Sequence, residues 1–199
     1  MYNLSGDFMY SVDNIYMNEY IINKSRFITY LIPVKSVDEV NNHINEIKNK
    51  YKDATHHCYA YIIDNVKRFN DDGEPGGTAG MPILNVIESN NLNYILAVVV
   101  RYFGGIKLGA GGLVRAYSKS VTEVLLKADL KNIIKGAKVR LKFNYDKVKF
   151  IDNKLKDIEI INKEFNESII YDILVDVNLI DDIKNLCDAE VIEYLNIIK

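Results

Sequence analysis

The chain has 199 residues, 25 basic and 27 acidic side chains, a formal charge of −2 and 48% apolar residues. That is the composition of a globular protein of one large or two small domains. No apolar run approaches the ~20 residues of a membrane helix, near-neutral charge speaks against a protein that coats nucleic acid, and two distant cysteines, Cys58 and Cys187, read as reduced and cytoplasmic. The first ten residues, MYNLSGDFMY, lack the basic and apolar regions of a signal peptide.

Taken in order, Ile15 to Ile22 and Arg26 to Ile32 read as two strands of a hairpin turning at Asn23-Lys24. Ser36 and Glu39 have the spacing of a capping box. Behind them Val37, Val40, Ile44, Ile47 and Tyr51 form one apolar stripe on a helix. His56 to Ile63 reads as a strand, Thr78 to Glu88 as a short helix, and Tyr94 to Arg101 as a strand buried on both faces. A helix follows from about Gly112 to Ala128. Beyond Gly136 the pattern changes: the last 63 residues contain neither glycine nor proline, whereas nine of the eleven glycines lie between Gly73 and Gly112. Two domains, 1–136 and 137–199, follow from this shift. The second reads strand (Lys138 to Tyr145), helix (Lys147 to Ile158), strands near Glu159 to Phe165 and Ile169 to Val177, a helix through Ile180, Ile183 and Cys187, and a last strand from Val191 to Ile197. That β-α-β-β-α-β order is ferredoxin-like, and the fold class is α+β.

Two loops have the residues for chemistry. In the first, Asp71, Asp72 and Glu74 precede Gly76, Gly77, Thr78 and Gly80. Convergent carboxylates could hold a ligand or work as acid and base. The plainer reading is an acidic turn capping the next helix. The second loop contains Arg101, Tyr102, Phe103, Gly104, Gly105, Ile106, Lys107, Leu108, Gly109, Ala110, Gly111, Gly112 and Arg115, between a buried strand and a helix. Free amides at a glycine-rich helix start suit a small anion, with Arg101, Lys107 and Arg115 adding charge; a purely conformational need for glycine fits equally well. Ala110 stands where a P-loop requires lysine, and no dinucleotide fingerprint can be read.

The run His56-His57-Cys58 suggests a metal or a nucleophile, yet neighbours on a strand point to opposite faces and the other cysteine lies in the second domain. His57 is therefore expected to line the surface shared by the two loops. Tyr59, Tyr61, Tyr102 and Tyr117 could form a stacking surface there, with core packing the simpler role. Arg115, Lys119, Glu123 and Lys127 step by four along the last helix as a solvated ridge.

The stretches Ser25-Arg26-Phe27, Asp71-Asp72-Gly73-Glu74-Pro75-x-Gly77-Thr78-Ala79-Gly80-x-Pro82 and Arg101-Tyr102-Phe103-Gly104-Gly105-x-Lys107-Leu108-Gly109-x-Gly111-Gly112-Leu113-x-Arg115-Ala116-Tyr117 resemble the YigZ/IMPACT family over roughly residues 5–130. The resemblance implies a first domain like the second domain of a small-subunit ribosomal protein and a ferredoxin-like second domain similar to domain V of elongation factor G. It also implies a place in translation control under stress. The resulting expectation is a non-enzymatic cytoplasmic regulator, without cofactor, metal or membrane, that binds a ribosome-associated protein or RNA. Its surface would comprise His57, Asp71, Asp72, Glu74, Gly77, Thr78, Arg101, Tyr102, Gly104, Gly105, Lys107, Gly109, Gly111, Gly112 and Arg115. The alternative is a small-molecule or phosphate-binding protein, or an enzyme, using the same loops.

Overall fold

The alternation of apolar and polar residues in the first part of the chain produces strands. Two separate apolar sets in those strands demand cover on both sides of the sheet. The computed structural model describes residues 9–199 and divides into two compact units, Met1–Asn132 and Ile133–Lys199. The leader reading of the first ten residues falls almost wholly outside the described residues.

The first unit runs β1 (Met9–Val12), β2 (Tyr16–Ile22), β3 (Ser25–Pro33), α1 (Val37–Lys50), β4 (His56–Ile63), β5 (Val66–Asn70), α2 (Gly80–Ser89), β6 (Ile95–Tyr102) and α3 (Gly109–Leu125). Strands β2-β3-β6-β4-β5 form an antiparallel sheet in that spatial order. The hairpin turns at Asn23 and Lys24, both at positive φ (46° and 61°), as a two-residue turn matched to strand twist requires. Central β6 is buried on both faces. Ala97 and Val99 pack with α2 and α3 through Ile83, Ile87, Leu113, Tyr117 and Val121. Leu96, Val98 and Val100 pack with α1 through Val40, Ile44 and Ile47.

Helix boundaries differ from the sequence reading where glycines blur periodicity. α2 begins at Gly80 and not at Thr78, and α3 begins at Gly109 and ends at Leu125. The capping box is half formed. Ser36 Oγ accepts from the Glu39 amide at 3.2 Å, while the Glu39 carboxylate accepts from the Lys35 amide and not from Ser36. Strand β5 carries no apolar alternation, which is why its sequence gives no strand signal; every residue in it is exposed.

The second unit follows the order β7 (Leu130–Phe143), α4 (Val148–Lys154), β8 (Glu159–Phe165), β9 (Ile169–Asp176), α5 (Ile180–Lys184) and β10 (Asp188–Ile198). Here β10, β7, β9 and β8 lie side by side, each pair antiparallel. This is the sheet of a split β-α-β fold. Val139, Leu141, Tyr171, Ile173 and Val175 form its core with Ile151, Leu155, Ile180 and Ile183. Gly136, where the composition changes, lies inside β7. A Cβ there would collide with the Ile197 side chain, so glycine permits that strand contact. Among the described residues no helix is long and apolar enough to cross a membrane.

Candidate functional site

The two loops singled out in the sequence meet on the α2/α3 side of the first sheet, and the residue that joins them is Arg101, at the end of β6. Sheet register sets Phe27 of β3 and His56 of β4 opposite it. Arg101 is 4% exposed, and its Nη1 donates to Glu74 Oε1 at 2.5 Å. The hydroxyl of Tyr117, from the third turn of α3, donates to the same oxygen at 2.7 Å. The Cys58 thiol makes sulfur contacts of 3.3 Å with the Tyr117 hydroxyl and 3.0 Å with the Asp71 carbonyl. Arg101 Nη2 and the Gly104 amide both point at Ser25 Oγ, at 3.4 and 3.2 Å. One polar chain thus links β3, β4, the acidic loop, β6 and α3. A buried charge pair needs such completion, because each desolvated polar atom left unpaired is costly.

Burial sets the electrostatics of this cluster. The Cys58 thiol is pushed up to about 12, chiefly by burial and further by Glu74, Asp72 and Asp71 nearby. Burial likewise drives Tyr117 far above the usual phenol range, with Cys58 and Glu74 adding to the rise. Both groups are neutral at physiological pH and donate hydrogen bonds.

The three carboxylates of the first loop do not converge; each has its own task. Asp71 accepts from the amides of Gly77, Ala79 and Gly80 at 2.8, 3.0 and 2.8 Å, so it caps the start of α2. Asp72 accepts from the His57 amide at 2.6 Å and pairs with Lys48 at 3.4 Å. Glu74 takes Arg101 and Tyr117. Thr78 closes the turn by donating its hydroxyl to the Pro75 carbonyl. The backbone passes close to neighbouring chain here: a Cβ on Gly80 would lie 2.9 Å from Asn70 backbone atoms. Among the described residues no group of three or more His, Cys, Asp and Glu side chains is placed to hold a metal ion.

His57 is buried, its ring contacting the Tyr51 carbonyl at 3.0 Å. Its neighbour His56 is the ring near Glu74 (3.8 Å) and the Asp72 carbonyl (2.8 Å). Tyr61 and Tyr117, offered above as stacking surface, are core residues, because their faces of β4 and α3 point into the two apolar clusters. Tyr102 is half-buried and donates to Asp53. The ridge on α3 pairs Lys119 with Glu123 at 3.4 Å, whereas Lys127, beyond the helix end, reaches Asn18.

The second loop is the open part of the site. Gly105, Lys107, Gly109, Gly111 and Arg115 are exposed, and Gly104 and Gly112 half-buried. A Cβ on Gly104 would run into the backbone of Lys24 and Ser25, so only glycine allows the loop to lie against the hairpin. Gly105 and Gly109 have φ of 82° and 70°. Helix α3 has no side-chain cap and no acidic residue in its first turn, and the Arg115 guanidinium folds back to Gly111, where an added Cβ would meet it at 3.5 Å. Phe103 and Ile106 of the same loop are 46% and 45% exposed. Ser25 is the site residue that neither loop composition nor the His-His-Cys run singles out; like Phe103 and Tyr117 it lies inside the family-like stretches.

Comparison with known proteins places this geometry. The Impact N-terminal domain family matches residues 23–125, which includes both loops and the whole polar chain. The IMPACT family member YvyE of Bacillus subtilis is 43% identical over 157 residues, 76% of this chain and 71% of that protein. The IMPACT family member YigZ of Escherichia coli is 44% identical over 109 residues, covering 52% of this chain and 53% of that one. A crystal structure of a hypothetical protein aligns with a TM-score of 0.66 at 28% identity, over 92% of this chain and 96% of its own.

Proposed function

The chain belongs to the IMPACT family, and from that premise we propose that it is a non-enzymatic, cytoplasmic RNA-binding regulator of translation that uses the exposed loop before α3. The observation that carries this reading is the division of labour inside the site. The carboxylates that acid–base chemistry would use are all engaged: Asp71 on amides, Asp72 on His57 and Lys48, Glu74 on Arg101 and Tyr117. What faces solvent is Lys107, Arg115 and the uncapped amides of α3. Not one acidic residue occurs between Glu88 and Glu123. Cations and free helix amides on a fixed base suit phosphate groups.

Binding through phosphates releases counterions, so affinity falls with salt. The test is anisotropy of labelled ribosomal RNA fragments with wild type and Lys107→Ala/Arg115→Ala across a salt series. Loss of two phosphate contacts lowers the slope of log K against log salt by about 1.4 for single strands. A flat salt response in the wild type removes RNA as the ligand. Competition by inorganic phosphate alone, with no RNA binding, returns the loop to a small-anion site.

A further inference from the structure

Resting on the RNA reading above, we propose that Phe103 is a base-stacking residue and that the ligand is single-stranded RNA, one unpaired base of which lies on its ring. The argument starts from the guanidinium of Arg101. Its central carbon lies over the Phe27 ring at 5.4 Å from the centroid and over the Phe103 ring at 5.7 Å. Phe27 is wholly buried, while Phe103 is half in solvent. Arg101 is fixed by Glu74, and its Nε is buried without a hydrogen-bond partner among the described residues. Its plane is therefore engaged by rings as much as by polar atoms.

The backbone under Phe103 is held as firmly. Its amide donates to Thr55 Oγ1 at 3.0 Å, the Thr55 amide donates to the Arg101 carbonyl at 2.8 Å, and the next amide, of Gly104, donates to Ser25. A backbone held this way, with Arg101 over the ring, lowers the ordering cost when Phe103 takes a partner. Every base has a π-face, so stacking on one ring does not depend on sequence.

Charge decides between RNA and an apolar protein partner. Phe103 lies four residues from Lys107, in the stretch without an acidic residue, and Arg115 reaches back over the α3 start. An exposed aromatic ring in a loop that also carries exposed cations and free helix amides matches a base with its flanking phosphates. Duplex RNA keeps its bases stacked and offers none to the ring.

The protein contains no tryptophan, so Phe103→Trp in the full chain introduces a single indole at the site. It would be titrated with a single-stranded uridine-rich oligonucleotide and with a duplex of the same length, reading indole emission and the anisotropy of labelled RNA together. We expect quenching by the single strand that saturates with the anisotropy change, and none by the duplex. Phe103→Ala should weaken single-strand binding about tenfold or more. Phe103→Leu, which keeps apolar bulk without a π-face, should weaken it nearly as much, with circular dichroism confirming that each variant is folded. Single-strand binding that survives Phe103→Ala, or leaves the indole unquenched, overturns the stacking proposal while the RNA reading stands. Failure of both RNAs to bind wild type overturns both. Equal affinity of Phe103→Leu and wild type overturns stacking in favour of simple apolar contact.

Discussion

Arg101 and Glu74 form an ion pair at 2.5 Å with both side chains 5% exposed or less, and this pair ties the acidic loop to the end of β6. Its partners come from residues 27 and 43 positions away in sequence for the arginine–glutamate and tyrosine–glutamate bonds. The pair is thus a tertiary lock, and the loops on either side depend on it.

Removing one member strands the other in low dielectric. Glu74→Gln and Arg101→Met should each cost about 3 kcal/mol in urea unfolding of the first unit. The double variant Glu74→Gln/Arg101→Met should cost clearly less than the sum, because no charge is left unpaired. Simple additivity in that cycle would show that the pair is not coupled.

Glycine tolerance should split by cause along the second loop. Gly104→Ala puts a Cβ into the Lys24–Ser25 backbone and should destabilise by about 1–3 kcal/mol, a cost that hairpin movement cannot relieve cheaply. Gly105→Ala meets nothing within 4 Å, and only its φ of 82° opposes the change, so about 1 kcal/mol is expected. Thermal unfolding of the two variants should rank them in that order.

Local pattern carried the elements, and long-range partners decided the site. The hairpin at Asn23-Lys24, the strand His56–Ile63 and the doubly buried β6 are legible because their signals are periodic or positional within a few residues. Strand β5 is not, because an all-exposed edge has no apolar face to repeat. The early start of β7 at Leu130 is hidden for a similar reason: its first residues are exposed or half-buried with no strict alternation. In the acidic loop, spacing shows three carboxylates together, but not that they separate onto helix amides, a strand amide and a buried arginine. Those partners come from α2, β4 and β6, which only the fold brings near. The exposed loop cations Lys107 and Arg115 were legible because glycine-rich helix entries leave side chains little to pack against. The sequence places Phe103 in the same loop, but not the Arg101 guanidinium over its ring, because Arg101 is fixed by Glu74 from the other loop.

The two cysteines should differ in reactivity. Cys58 is fully buried with its thiol pushed up to about 12, whereas Cys187 is half-buried, its thiol also raised by burial. In a Cys187→Ser background, a disulfide reagent at pH 8 should label Cys58 only as fast as the first unit unfolds, since the thiolate is the nucleophile. The folded thiol retains its proton at a pH where the unfolded one has lost it. Its contribution to stability is therefore present below the ordinary thiol pKa and lost as pH rises from there toward 12. Cys58→Ala should flatten that alkaline loss, read from urea midpoints between pH 8 and 10.

The second unit should show the opposite dependence at acid pH. Arg140 grips Asp172 with two bonds, Nε to Oδ1 at 2.7 Å and Nη2 to Oδ2 at 2.9 Å, across the β7–β9 ladder. Asp172 is buried, and the hydrogen bonds from Arg140 hold its carboxyl below the usual carboxylate range. A depressed folded value means that stabilisation is present above the unfolded pKa near 4 and disappears as pH falls through the folded one. Arg140 is itself 45% exposed, so solvent screens the pair and its contribution is modest. Arg140→Met should lower the stability of the second unit at pH 7 by leaving the carboxylate unpaired, and the gap to wild type should narrow steadily below pH 4. Amide hydrogen exchange in β7 and β9 reads this locally; a gap that stays constant down to pH 2.5 would mean the loss comes from packing of the arginine stem and not from its charge.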